Sequence, residues 1–177
     1  RRGKFMWFEF DRPEVLVAHL GMSGQFKIQR ENSEYESHLR ANFQLSNGKE
    51  MRFIDQRTFG WLAVDLLEEG IPQIVSHIAR DPFDPEFDKR ALVKQILKKR
   101  GQIKKVILDQ EVVSGIGNIY ADEALWRAKV HPEKIASELT STEVLNVITS
   151  AEKIMSKALA AGGTSFDQLY INVNGER

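Results

Sequence analysis

The stretch VVSGIGNIYADEAL, Val112–Leu125, sets two glycines around one isoleucine and follows them with an asparagine and a helical pattern. Glycine tolerates positive φ and lets a neighbouring group come close. A helix start presents unpaired N–H groups and the positive end of the helix dipole. Together these features suit an anion, most often phosphate. The same glycines also serve a tight corner between two helices, so Gly115 and Gly117 alone leave both readings open.

The chain around this stretch is helical. Asp88 caps a helix whose apolar positions are Leu92, Val93, Ile96 and Leu97, and Gly101 ends it. Gln102–Leu108 reads as a second, short helix, and Asn118–Lys129 as the helix after the glycine turn. A last helix starts at Thr140 or Ser141, with Glu143 near the capping-box position, and runs to about Ala161, where Gly162-Gly163 stops it.

Upstream, the period changes to that of strands. Lys4–Phe10, Val15–Leu20, Gly24–Gln29, Ala41–Leu45, Glu50–Ile54 and Trp61–Asp65 are short runs rich in aromatic and β-branched residues. Asn47-Gly48 between two of them is a strong hairpin signal. Residues 71–88 contain Pro72, Pro82 and Pro85 and read as a linker. The expected fold class is therefore α+β: part of an antiparallel β-sandwich over residues 1–70, a linker, and a helical domain over 89–163, with a further loop beginning at 164.

Composition narrows the function. The 177 residues are 42% hydrophobic and 28% charged, as in ordinary globular proteins. No apolar run approaches the roughly 20 residues of a membrane helix, and no secretory signal pattern is present. Cysteine is absent, which excludes disulfides, thiolate zinc sites and a cysteine nucleophile within the chain. The formal net charge is zero, but Lys94, Lys98, Lys99, Arg100, Lys104 and Lys105 form a run without an acid, and Arg1, Arg2 and Lys4 form a second cluster. Such local patches make a phosphate footprint, and a solvated helix face is the other reading.

Five stretches resemble the formamidopyrimidine-DNA glycosylases (Fpg) and their endonuclease VIII relatives: RRGKF at Arg1–Phe5, HLGMSGQF at His19–Phe26, DQRTFG at Asp55–Gly60, GIGNIYADEALW at Gly115–Trp126 and GGTSFDQLYINVNGE at Gly162–Glu176. They stand in the family's order and cover nearly the whole chain. Met22 and the Arg57…Phe59 pair follow the Fpg pattern more closely than that of endonuclease VIII.

The resemblance implies a β-sandwich followed by a helix-two-turn-helix, with double-stranded DNA bound and the damaged base flipped out of the stack. It implies roles for residues as well. Lys4 matches a lysine that binds backbone and acts in β-elimination; Met22 matches the side chain that fills the gap left by the flipped base. Arg57 matches the arginine that reaches the orphaned base, and Phe59 the wedge beside it. His38, Lys99, Lys104, Gly117 and Asn118 match DNA contacts, so the glycines of the opening stretch are expected to clear space for DNA backbone. Tyr170, Asn172 and Asn174 fall on the loop that closes over the extruded base. Ordinary core or surface roles remain the competing readings for Met22, Phe59 and His38.

The chain also departs from the family pattern. The family's nucleophile is an N-terminal proline followed by glutamate, and its C-terminal finger holds one zinc ion through four cysteines; neither occurs in these residues. The expectation is an enzyme of base-excision repair that removes oxidised purines and nicks the strand by β,δ-elimination, a monomer at full length, in the bacterial cytoplasm. These 177 residues alone are expected to be inactive and to hold no cofactor. A DNA-binding module without chemistry, and an RNA-binding role for the helical half, are the alternatives. Met22 and Arg57-x-Phe59 have no purpose in the RNA reading.

Overall fold

The computed structural model describes residues 1–161, which form two compact units. One is the β unit, from Phe5 to Pro72. The other joins Arg1–Lys4 to the described chain from Gln73 to Ala161.

The β unit holds two antiparallel sheets. Strands β1 (Phe5–Glu9), β2 (Glu14–His19), β6 (Trp61–Glu68) and β7 (Ile71–Pro72) lie side by side in that order. Strands β3 (Gly24–Arg30), β5 (Lys49–Asp55) and β4 (Leu39–Gln44) form the second sheet, in the order β3-β5-β4. The central strand β2 buries Val15 to Ala18 on both faces, so its sequence runs apolar without alternation. Phe8 of the first sheet meets Phe26 of the second edge-on, with centroids 5.3 Å apart. The Asn47-Gly48 turn joins β4 to β5, with Gly48 at φ 71°.

Three charged residues, Glu50, Arg52 and Asp55, lie buried inside this unit. Arg52 on β5 has no exposed surface and uses its guanidinium in full. Its Nε donates to Glu50 Oε2 at 2.8 Å, Nη1 to the Glu34 carbonyl at 2.7 Å, and Nη2 to the Ser33 carbonyl at 2.8 Å. The strandless segment before β4 is thus tied to the sheet by a buried cation whose partners satisfy it.

The helical unit comprises α1 (Lys89–Ile96), α2 (Ile103–Leu108), α3 (Asn118–Ala128) and α4 (Ser141–Ala160). Asp88 caps α1 by accepting from the Arg90 and Ala91 amides at 2.9 Å. Thr140 and Glu143 close a reciprocal capping box on α4. Ile96, Ile107, Ile116, Leu125, Val144 and Ile148 belong to the buried core of this unit.

The linker expected over residues 71–88 is not a free connector. Ile71–Pro72 pairs with β6, and from Gln73 the chain belongs to the helical unit. Val75, Ile78, Asp81 and Pro82 are buried, while Phe83 and Phe87 pack on the helical core. Proline marks irregular backbone, and irregular backbone can still be buried where a side chain satisfies it. Here the Asp81 carboxylate accepts from the Gly3 amide at 3.0 Å, the Phe83 amide at 3.0 Å and Arg1 Nη1 at 2.7 Å. The same bonds hold residues 1–4 in the helical unit, so the sandwich begins at Phe5 rather than Arg1.

Candidate functional site

In the helical unit the site is built around the glycine turn. Gly115 takes φ 87°, and a Cβ there would lie 3.3 Å from Met155 Cε. Gly117 is extended, and a Cβ on it would lie 3.0 Å from Lys4 Nζ. The side chain of Gln110 staples the turn: Nε2 donates to the Leu108 and Ile116 carbonyls at 2.8 and 3.0 Å, and Oε1 accepts from the Gly115 amide at 3.0 Å. Lys4 Nζ donates to the same Ile116 carbonyl at 3.5 Å.

The turn feeds directly into α3. Its cap residue is Gly117, so no side chain caps the helix, and Asn118 stands exposed at the first helical position. The Lys4 cation and an uncapped helix start therefore share one place on the molecule. Although much of the Lys4 side chain is exposed, burial around its ammonium lowers its pKa below the ordinary lysine value. A cavity of about 250 Å³ beside it is lined by Lys4, Asp81, Phe83, Gly115, Tyr120 and Met155, among others.

In the β unit a second constellation forms where β2 and β5 end. Met22 is 53% exposed and Phe59 is 56% exposed, which is unusual for side chains of this size. The Arg57 guanidinium lies over the Phe59 ring, 5.2 Å from its centroid. Gly21, at φ 60°, brings the Met22 turn against this loop: a Cβ on Gly21 would lie 2.5 Å from the Phe59 carbonyl carbon. Met22, Arg57 and Phe59 are thus carried by two loops in contact.

The other candidates are spread more widely. The His38 carbonyl accepts from the Asp55 amide at 3.0 Å, which places His38 beside the root of the Arg57 loop. Lys99 is exposed after α1. Lys104 on α2 pairs with Asp122 of α3 at 2.7 Å, so its charge is already partly engaged within the unit. Arg1 and Arg2 do not form the open basic cluster that their sequence implies: Arg1 binds Asp81, and Arg2 Nη1 donates to the Ile78 carbonyl at 3.4 Å.

Two family models match this architecture. The formamidopyrimidine-DNA glycosylase N-terminal domain matches residues 1–62, and the formamidopyrimidine-DNA glycosylase H2TH domain matches residues 78–169. This chain belongs to the formamidopyrimidine-DNA glycosylase family.

Among its relatives, the Fpg of Rhodococcus erythropolis (strain PR4 / NBRC 100887) is 52% identical over 181 residues, covering 99% of this chain and 63% of that protein. The crystal structure of Lactococcus lactis Fpg, non-covalently bound to DNA containing an AP site, superposes with a TM-score of 0.83 at 30% identity. That match covers 93% of this chain and 63% of the other. A structure of MutM in complex with DNA containing carbocyclic 8-oxo-G matches with a TM-score of 0.79 at 31% identity, over 93% and 63% of the two chains. The chain thus spans less than two thirds of the length of these Fpg relatives.

Sequence reasoning placed Lys4 on a strand and Gly117 in a DNA-facing turn without joining them. The fold joins them, and Gly117 clears space for the Lys4 ammonium, a partner within the chain. It also overlooked Gln110, Asp81 and Asp55. The acid of the DQRTFG stretch was the one available signal, since a carboxylate at a strand end often binds the next amides. Tyr170, Asn172 and Asn174 lie outside the described residues.

Proposed function

We propose that this chain carries the DNA-gripping and lesion-probing parts of a base-excision repair enzyme that removes oxidised purines and cleaves the strand at the resulting abasic site. The observation that carries this reading is the Lys4 ammonium, held at the Ile116 carbonyl beside the uncapped start of α3. A backbone phosphate fits such a place: the lysine supplies a full charge, and the helix supplies free N–H groups with a favourable dipole. The matched structures of Fpg with AP-site DNA and of MutM with 8-oxo-G DNA support the substrate class.

The roles follow from the chemistry of each group. Asn118, Gly117, Lys99 and His38 hold phosphates, and Lys104 adds to the local positive field while paired to Asp122. Met22 fills the space vacated by an extruded base, and Arg57 with Phe59 meets its former partner. Lys4 is both a phosphate ligand and a proton carrier in elimination. Its burial-lowered pKa eases release of the proton, while a bound phosphate strengthens the ammonium form.

The secondary amine that would attack C1′ is the N-terminal proline of the family pattern; every proline within these 177 residues follows another residue, so its nitrogen is an amide and no nucleophile. We therefore propose that residues 1–177, made alone, bind damaged DNA without forming a Schiff base. The sequence has no cysteine, and no cluster of three or more histidines and carboxylates occurs among the described residues. From a DNA substrate and bacterial relatives we infer work in the bacterial cytoplasm.

The test is Lys4→Ala in the full-length protein, with 8-oxoguanine opposite cytosine as substrate. The expected result is a loss of strand cleavage of about 100-fold or more. Unchanged cleavage would remove Lys4 from the mechanism.

A further inference from the structure

Asp55 ends β5, is 1% exposed, and has had no part in the roles above. Its carboxylate joins two loops that are far apart in sequence. Ser23 Oγ donates to Asp55 Oδ1 at 2.5 Å, and the Gly60 amide donates to Oδ2 at 2.7 Å. The Arg57 amide donates in turn to Ser23 Oγ at 2.9 Å. One carboxylate and one hydroxyl thus bridge the turn bearing Met22 and the loop bearing Arg57 and Phe59.

The backbone of Asp55 extends the same hub. Its amide donates to the His38 carbonyl at 3.0 Å, and its carbonyl accepts from Arg40 Nε at 2.8 Å. Within the loop, Thr58 holds φ 56°, a left-handed conformation that a β-branched residue seldom adopts. Such a conformation persists only where its surroundings fix it. Burial alone would raise the Asp55 pKa, but hydrogen bonds from Ser23 and from the Gly60, Arg57 and Thr58 backbone outweigh it and hold the group ionised.

We propose that Asp55 is the positioning residue of the lesion probe: its carboxylate locks the Met22 turn to the Arg57–Phe59 loop in advance, so that the three side chains meet a lesion as one preset body. This rests on the reading that Met22, Arg57 and Phe59 contact the lesion site. A preset pair of loops spares the ordering cost that separate loops would incur on binding, and that saving applies only where the probe inserts. Phosphate contacts elsewhere do not depend on it.

The full-length protein is compared as Ser23→Ala, Asp55→Ala, Asp55→Asn and Arg57→Ala. Binding is measured at fixed salt to a duplex with a tetrahydrofuran abasic analogue opposite cytosine, and to the same duplex intact. Ser23→Ala and Asp55→Ala lower the preference for the abasic duplex about tenfold, as expected for lost bonds to a charged group. Affinity for intact duplex stays within about twofold, because it rests on phosphate contacts. Asp55→Asn restores part of the preference, since an amide can still accept from Gly60 and donate to Ser23.

An unchanged preference in Ser23→Ala, or equal losses on both duplexes, would overturn the positioning role. If Asp55→Ala fails to fold, Ser23→Ala decides. Arg57→Ala separates the two claims: if it lowers the preference and Ser23→Ala does not, only the positioning role fails. If Arg57→Ala also leaves the preference unchanged, the lesion-probe reading itself fails.

Discussion

The Lys4 ammonium donates to the Ile116 carbonyl at 3.5 Å, although the two residues lie 112 positions apart. That carbonyl also accepts from Gln110, so one oxygen fixes both the cation and the turn that precedes α3. The geometry depends on Gly117 lacking a side chain, since a Cβ there would press on Nζ at 3.0 Å.

Two glycine substitutions should therefore behave differently. Gly117→Ala meets no backbone strain and should displace Lys4, reducing DNA cleavage with little change in Tm. Gly115→Ala must hold φ 87° and should cost about 1–3 kcal/mol of stability. Thermal unfolding and a cleavage assay on both variants check this pairing.

Phe59 is exposed and carries the Arg57 guanidinium over its ring. Phe59→Ala should leave Tm nearly unchanged and weaken binding to abasic duplex by about 1–3 kcal/mol, the usual scale of aromatic–base stacking. Intact duplex should lose much less. Paired titrations with the two duplexes read the difference.

Lys99 and Lys104 should not be equivalent. Lys99 has no ion-pair partner among the described residues, whereas Lys104 is paired to Asp122 at 2.7 Å. Lys99→Ala should weaken binding to all sequences and reduce the salt slope by about one. Lys104→Ala should reduce the slope less. Affinities over a salt series measure both slopes.

The capping box on α4 makes a pH prediction. The Thr140 amide, Lys134 and the Thr140 hydroxyl lower the Glu143 pKa to about 2. A carboxyl depressed by folding stabilises the native state above its unfolded pKa, about 4.3 for glutamate, and loses that contribution as pH falls through its folded value. Wild type should thus exceed Glu143→Gln in Tm at pH 6, and the gap should close between pH 4 and 2. Unfolding of both proteins across that range tests the sign.

Most of the elements were legible because their signals are local. The Asn47-Gly48 hairpin, the Asp88 cap and the Thr140–Glu143 box each involve residues a few positions apart. The periodicity change from strand to helix was likewise plain. What stayed hidden were contacts between distant residues: Asp81 with Gly3, Ser23 with Asp55, and Lys4 with Ile116. Pattern reading assigned Arg1 and Arg2 to a basic patch because charge is visible in sequence and its partner is not. Buried Arg52 escaped for the same reason.

The most direct test of the account is borohydride trapping by the polypeptide of residues 1–177, run beside a binding titration on the same duplex carrying 8-oxoguanine opposite cytosine. The account expects binding tighter than to intact duplex, with no trapped adduct. An adduct formed efficiently would mean that an amine within these residues, at Arg1 or Lys4, serves as the nucleophile, and would contradict it. Equal binding to damaged and intact duplex would contradict the lesion probe built from Met22, Arg57 and Phe59.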